Sequence, residues 1–227
     1  MIRVRMALLV VALSGFLTAQ DGSVRGKINI LQLPKDAPGH SDVVIWLAPR
    51  GSSATVSPGP TPRLTQKNKQ FLPHVLAITV GTQVEFPNQD PFFHDVFSIY
   101  RGKPFDLGLY ESGATRKVRF SQPGVSFIFC NIHPEMSAAV VALTTPYFTV
   151  SAPDGNFQIN HVPVGPYKLE IWYEHSSESE LTSASRDLDI AAGNNDVPPI
   201  SLHSAAVPHN HLNKYGEPYP LDKPEKY

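Results

Sequence analysis

Apolar residues along this chain come in short runs, mostly β-branched or aromatic, each bounded by glycine, proline or polar turn residues. Such runs predict strands over Val24–Leu31, Val43–Leu47, Val75–Val80, Thr82–Pro87, Val96–Tyr100, Lys117–Phe120, Val125–Cys130 and Ala138–Leu143. Tyr147–Val150, Phe157–Ile159, Tyr167–Tyr173 and Leu188–Ile190 complete the set. Turn chemistry separates them, most clearly at Gly81-Thr82, Gln122-Pro123-Gly124 and Pro153-Asp154-Gly155. Helical periodicity is not sustained anywhere, although Ser177–Ser185 allows one or two turns. Strands at this spacing predict an all-β chain built as a sandwich or barrel.

Composition refines this picture. Hydrophobic residues at 41% support a real core, while 22 prolines and 15 glycines supply many turns. Residues 1–20 read as a secretory signal peptide: Arg3 and Arg5, the apolar run Met6–Leu13, then small residues up to Ala19. That run is shorter than the roughly 20 apolar residues of a spanning helix, and no later stretch approaches that length. The expected product is exported, to the periplasm or beyond, with no integral membrane segment after signal removal. With Arg3 and Arg5 set aside, acidic residues outnumber basic ones by about three, which argues against a nucleic-acid partner. Gly51–Pro62 reads as a linker or long loop, and Ser204–Tyr227 as an extended or mobile tail.

The chain has one cysteine. Alone, such a residue is most often an inert core side chain. Its neighbours say otherwise. In Phe127-Ile128-Phe129-Cys130-Asn131-Ile132-His133-Pro134-Glu135-Met136, a strand ends at Cys130 and a tight loop returns with His133 and Met136. Thiolate, imidazole and thioether donors suit copper over hard cations. A blue-copper site needs a second imidazole from a distant strand, and His94 in Phe92-Phe93-His94-Asp95-Val96-Phe97 supplies it. His94, Cys130 and His133 would form the trigonal plane, with Met136 as the long axial ligand.

The block from about Ala54 to Leu143 resembles the plastocyanin-type cupredoxins. The Cys-x2-His-x2-Met spacing is similar to that of amicyanin, and Val80-Gly81-Thr82-Gln83-Val84-Glu85-Phe86-Pro87-Asn88 looks like the strand–turn–strand that precedes the first histidine. The chain also resembles exported bacterial proteins labelled methylamine-utilisation proteins. The resemblance implies a Greek-key β-sandwich with one type 1 copper per chain. It further implies one-electron transfer rather than enzymatic turnover, and docking of redox protein partners near His133, where the imidazole reaches the surface beside Ile132 and Pro134. Cupredoxins usually place Asn after the first histidine, where Asp95 stands here. Its negative field is expected to lower the reduction potential.

A second resemblance lies in the flanks. Asp154-Gly155-x-Phe157 followed by Val162-Pro163-x-Gly165-x-Tyr167-x-Leu169 is similar to carboxypeptidase-regulatory-like, transthyretin-like sandwiches. Val24–Ile28 and Val43–Leu47 fit the opening strands of that fold. The expected organisation is a split sandwich of residues 21–52 plus 145–203, with the copper domain 53–144 inserted and 204–227 as tail. One enlarged cupredoxin with extra strands is the alternative.

Other histidines are read more plainly. His74 precedes a strand and reads as a surface or loop-bonding residue, with metal contact as the minority reading. His209 and His211 have spacing compatible with Cu(II) or Zn(II), although a solvated tail accounts for them. His40, His161, His175 and His203 show no cluster, and Trp46 and Trp172 read as core. The rival functions are copper storage, delivery or sensing without electron shuttling, and a structural module. A Cys–His hydrolase is weaker, because Cys130 and His133 share one tight loop and lack an orienting third group.

Overall fold

The computed structural model describes residues 21–33, 39–51, 54–99, 102–204 and 211–219. Residues 1–20, read above as a signal peptide, and Tyr100 and His209 lie outside the described residues. Two strands open the chain, β1 (Asp21–Leu31) and β2 (Val44–Pro49). A central block follows: β3 (Thr65–Lys67), β4 (Gln70–Leu72), β5 (Val75–Thr79), β6 (Gln83–Pro87), β7 (His94–Ser98), β8 (Phe105–Tyr110), β9 (Thr115–Arg119), β10 (Gly124–Cys130) and β11 (Ser137–Leu143). Then come β12 (Phe148–Val150), β13 (Asn156–Pro163), β14 (Gly165–Trp172), the short helix α1 (Glu178–Ala184), β15 (Arg186–Ile190), β16 (Gly193–Asp196) and β17 (Ile200–His203). The described residues are all-β apart from α1, whose first turn is capped by the Ser177 hydroxyl.

The strands sort into two groups, each with its own core. The first and last strands build one sheet in the order β13-β1-β16, with β17 also paired to β1, and a second in the order β12-β2-β14-β15. Alternation in β1 and β14 turns Val24, Ile28, Ile30, Tyr167, Leu169 and Ile171 inward, and these enclose one apolar cluster. The turn into β13, where the chain crosses from one sheet to the other, places Gly155 at a φ of +83° and so close to the Ile28 carbonyl that there is no room for a side chain.

The central block forms a five-stranded sheet, β5-β11-β10-β7-β8, opposed by the pairs β6-β9 and β3-β4. Its core holds Leu64, Phe86, Val96, Tyr110, Phe120, Ile128, Cys130 and Met136. β11 is buried along nearly its whole length because both of its faces are covered. One face lines this core. The other carries Ala139, Val141 and Leu143 against Val44, with Trp46 and Trp172 packed alongside. Both tryptophans therefore lie at the junction between the two groups of sheets.

Several elements differ from the sequence pattern. β16 is Gly-Asn-Asn-Asp and has no apolar side chain; it exists by parallel backbone pairing with Gly22–Arg25. β8 carries Gly108 in its middle, and β3 and β4 are only three residues each, so none shows a sustained period of two. β7 begins at His94 rather than after it, which places the first predicted donor inside a paired strand. The supposed linker is ordered in its described part: the Gly59 N–H donates to the hydroxyls of Thr79 and Thr82 at 3.0 and 2.9 Å.

Candidate metal centre

His94 and Cys130 come from neighbouring strands, β7 and β10, which pair Cys130 with Val96. His133 and Met136 ride on the loop that leaves β10. The Met136 N–H donates to the His133 carbonyl at 3.0 Å, which tightens this loop, and β11 starts directly afterwards. All four side chains are buried. Cys130 Sγ lies 3.6 Å from His94 Nδ1 and 3.5 Å from His133 Nδ1, and the two Nδ1 atoms are 3.2 Å apart. A point equidistant from the three atoms is about 2.0 Å from each, the length of a first-row metal–imidazole bond. Met136 is buried beside Cys130 in the same cluster. Among the described residues, no other three His, Cys, Asp or Glu side chains bring donor atoms so close together.

The electrostatics favour a cation at that point. Burial lowers the His94 pKa, and the Asp90 carboxylate only partly opposes this. Burial also lowers that of His133, with His94 adding to the effect. Both imidazoles are therefore neutral at pH 7 and offer lone pairs. Burial raises the Cys130 pKa. Metal binding would accordingly release the thiol proton. Electron-rich donor atoms aimed at one dry point repel each other, and a soft cation relieves that repulsion. The residues present fit copper.

Asp90 is the residue beside the cluster that the sequence reading missed. His94 Nε2–H donates to Asp90 Oδ2 at 2.9 Å, which leaves the lone pair on Nδ1, facing the cluster. The carboxylate is fixed by the N–H groups of Asn68 (2.6 Å) and Lys69 (3.0 Å) at the tip of the β3–β4 hairpin. Burial pushes the Asp90 pKa up, but the Lys69 N–H, His94 and the Asn68 N–H together hold it below the usual carboxylate range.

Phe92 covers the centre, its ring 5.4 Å from each imidazole, with Lys69 Nζ 5.7 Å above it. His133 is only 3% exposed, so it does not reach the surface as the resemblance implied. The exposed apolar groups there are its neighbour Ile132 and the His94 neighbour Phe93.

Asp95 also departs from expectation. Its carboxylate accepts from Asn131 Nδ2 at 3.1 Å and its carbonyl from the Asn131 N–H at 2.8 Å, so it ties the two donor segments together. Its charge is not left uncompensated, because Lys214 Nζ lies 3.0 Å from Asp95 Oδ2. Lys214 therefore opposes the lowering of potential expected from this carboxylate. Residues 211–219, read as solvated tail, are packed instead: the His211 ring stacks on Phe129 at 4.0 Å between centroids. Nothing in the donor cluster involves His211.

His74 is likewise away from the cluster. Its Nδ1 lies 3.1 Å from the Ser137 carbonyl and its Nε2 2.7 Å from Glu174 Oε2, so both nitrogens face acceptors and the imidazolium is favoured. The Glu174 hydrogen bond raises the His74 pKa above 6.5, with burial opposing. This contribution to stability is complete below about pH 6.5 and is lost as pH rises through the elevated value. Urea denaturation of the copper-free protein should show its midpoint falling as pH rises above about 6.5, and falling less in Glu174→Gln. Equal falls in both proteins would remove His74 as the cause.

An all-β fold with a buried two-histidine, one-cysteine cluster is what the geometry defines. No family model and no curated protein matches the chain. Among solved structures, it is similar to a copper-containing nitrite reductase from Thermus scotoductus, at 28% identity over 42% of this chain and TM-score 0.36. The chain spans 25% of that reductase chain. It is also similar to a purple cupredoxin from Nitrosopumilus maritimus, at 24% identity over 37% of this chain and all of that one, with TM-score 0.33. A third match is a reduced amicyanin variant, at 18% identity over 40% of this chain and 97% of that one, with TM-score 0.34.

Proposed function

We propose that this chain is an exported type 1 copper protein that carries single electrons between redox proteins, its metal held by His94, Cys130, His133 and Met136. The observation that carries this reading is the buried triangle of two Nδ1 atoms and one Sγ with 3.2–3.6 Å edges. Bound copper would supply a one-electron Cu(II)/Cu(I) couple.

The chain's own residues do the rest. Asp90 holds the His94 tautomer, and Asp95 with Asn131 fixes the spacing between the two donor segments. Phe92 excludes water from the imidazoles. Donors held in a packed core move little, which favours fast electron transfer over substrate turnover. Phe93 and Ile132 give an apolar rim on which a redox partner can dock. In domain terms, the copper sandwich 53–144 is read as inserted into a terminal sandwich built from 21–52 and 145–203. The two separate clusters of buried side chains support that reading.

The test is the visible and EPR spectrum of the mature protein after addition of Cu(II), followed by cycles of chemical reduction and reoxidation. An intense thiolate-to-copper band that bleaches and returns without metal loss is expected. A colourless protein would overturn the copper centre. A coloured one that sheds its metal on reduction would make it a storage or delivery protein.

A further inference from the structure

Residues 211–219 form neither strand nor helix, yet apart from a Lys214–Asp106 ion pair their bonds to the central block bear on the donor segments. The Lys214 N–H donates to Asn131 Oδ1 at 3.1 Å, and the Tyr219 hydroxyl donates to the Cys130 carbonyl at 2.9 Å. The His211 ring lies on Phe129, and its Nδ1 is 3.3 Å from the Tyr219 hydroxyl. Lys214 Nζ reaches Asp95 Oδ2 at 3.0 Å and Asp106 Oδ2 at 3.1 Å. Asp95 follows His94 in sequence, and Phe129 and Asn131 flank Cys130. The segment thus grips both strands that carry donors, and it does so from over 70 residues downstream.

We infer that residues 211–219 are an intramolecular clasp on the metal loops, and that Lys214 sets the reduction potential of the centre by neutralising Asp95. The inference rests on the copper reading above. The side chains of Asp95 and Lys214 are 8% and 15% exposed, so solvent and salt screen their charges weakly. An uncompensated carboxylate next to His94 favours the more positive, oxidised metal. Lys214 cancels that preference and holds the potential up. Asp106, half exposed at 50%, shares the ammonium but is better screened. Lys214 is therefore a positioning residue, acting on the metal through Asp95 and Asn131.

The experiment is the midpoint potential of the copper-loaded protein and of four variants, with amide hydrogen exchange on the copper-free forms. Lys214→Gln should shift the one-electron equilibrium about tenfold toward Cu(II), which is about 59 mV lower. Asp95→Asn should shift it the opposite way, the double variant should return close to the parent, and Lys214→Arg should preserve the parent value. Without copper, Lys214→Gln should speed exchange at Asn131 and at position 214, and Lys214→Arg should not. Potentials of Lys214→Gln and parent that agree would overturn the potential-setting role. Unchanged exchange would overturn the clasp. A parent protein that takes up no copper would fail the copper reading and the potential-setting role together, while the exchange data would still judge the clasp.

Discussion

Replacing Cys130 with serine is expected to abolish the visible thiolate-to-copper absorption and to weaken copper binding on the order of 100-fold or more. The hydroxyl is nearly isosteric, so the two Nδ1 atoms stay where β7 and the ligand loop put them. A serine hydroxyl does not ionise near neutral pH, and its oxygen is a hard donor where copper prefers soft sulfur. Four-donor structural zinc sites gain about 10–16 kcal/mol on binding metal, and on that scale one donor in four accounts for about 3 kcal/mol. That corresponds to roughly two powers of ten in affinity. Chelator competition measures the affinity and far-UV circular dichroism checks the fold. The parent Sγ is fully buried among Ile128, Met136 and Ala138, so a new hydroxyl there must hydrogen-bond to an imidazole or remain unpaired. A modest loss of stability is therefore expected alongside the loss of colour. A Cys130→Ser protein with the parent spectrum would show that the thiolate is not a ligand and would remove the basis for a type 1 centre.

The proposed donors were legible because their information is local. Cys130, His133 and Met136 fall within seven residues, and a strand that stops at a soft donor, followed by a return loop, can be read without knowing the fold. His94 needed only one long-range step, from β10 to its neighbour β7. The groups that support the donors were not legible. Asp90 stands in Asn88-Gln89-Asp90-Pro91, where a carboxylate reads as a turn residue. The faint signal was its place four residues before His94. What gives it a role is a hairpin tip 22 positions upstream, where Asn68 and Lys69 both take φ of 55° and turn their N–H groups toward it. Lys214 is 119 positions from Asp95, in a segment whose prolines and polar residues look solvated. Strand β16 escaped for a related reason, since backbone pairing leaves no side-chain pattern to read.

Asp90→Asn should lower copper affinity by about 10- to 100-fold, the usual effect of losing a group that orients a metal-bound imidazole. The change removes a charge and keeps the shape, yet each way of placing the amide fails. Asp90 Oδ1 accepts from the Asn68 N–H, while Oδ2 accepts from both the Lys69 N–H and His94 Nε2–H. An NH2 group at the first position opposes the Asn68 N–H. At the second it opposes Lys69 and forces the His94 proton from Nε2 to Nδ1, the atom that faces Cys130 and His133. A protonated Nδ1 cannot bind metal, so copper must first reverse the tautomer against a donor–donor contact. Asp90 is 3% exposed, and water cannot easily repair the mismatch. One unmatched buried donor also costs about 1–3 kcal/mol of stability. Chelator competition on Asp90→Asn, with urea denaturation of its copper-free form, separates the two effects. Asp90→Glu serves as the comparison that keeps the charge and displaces the carboxylate. If Asp90→Asn bound copper within twofold of the parent while losing stability, Asp90 would be a brace for the hairpin and the His94 tautomer would be held by something else.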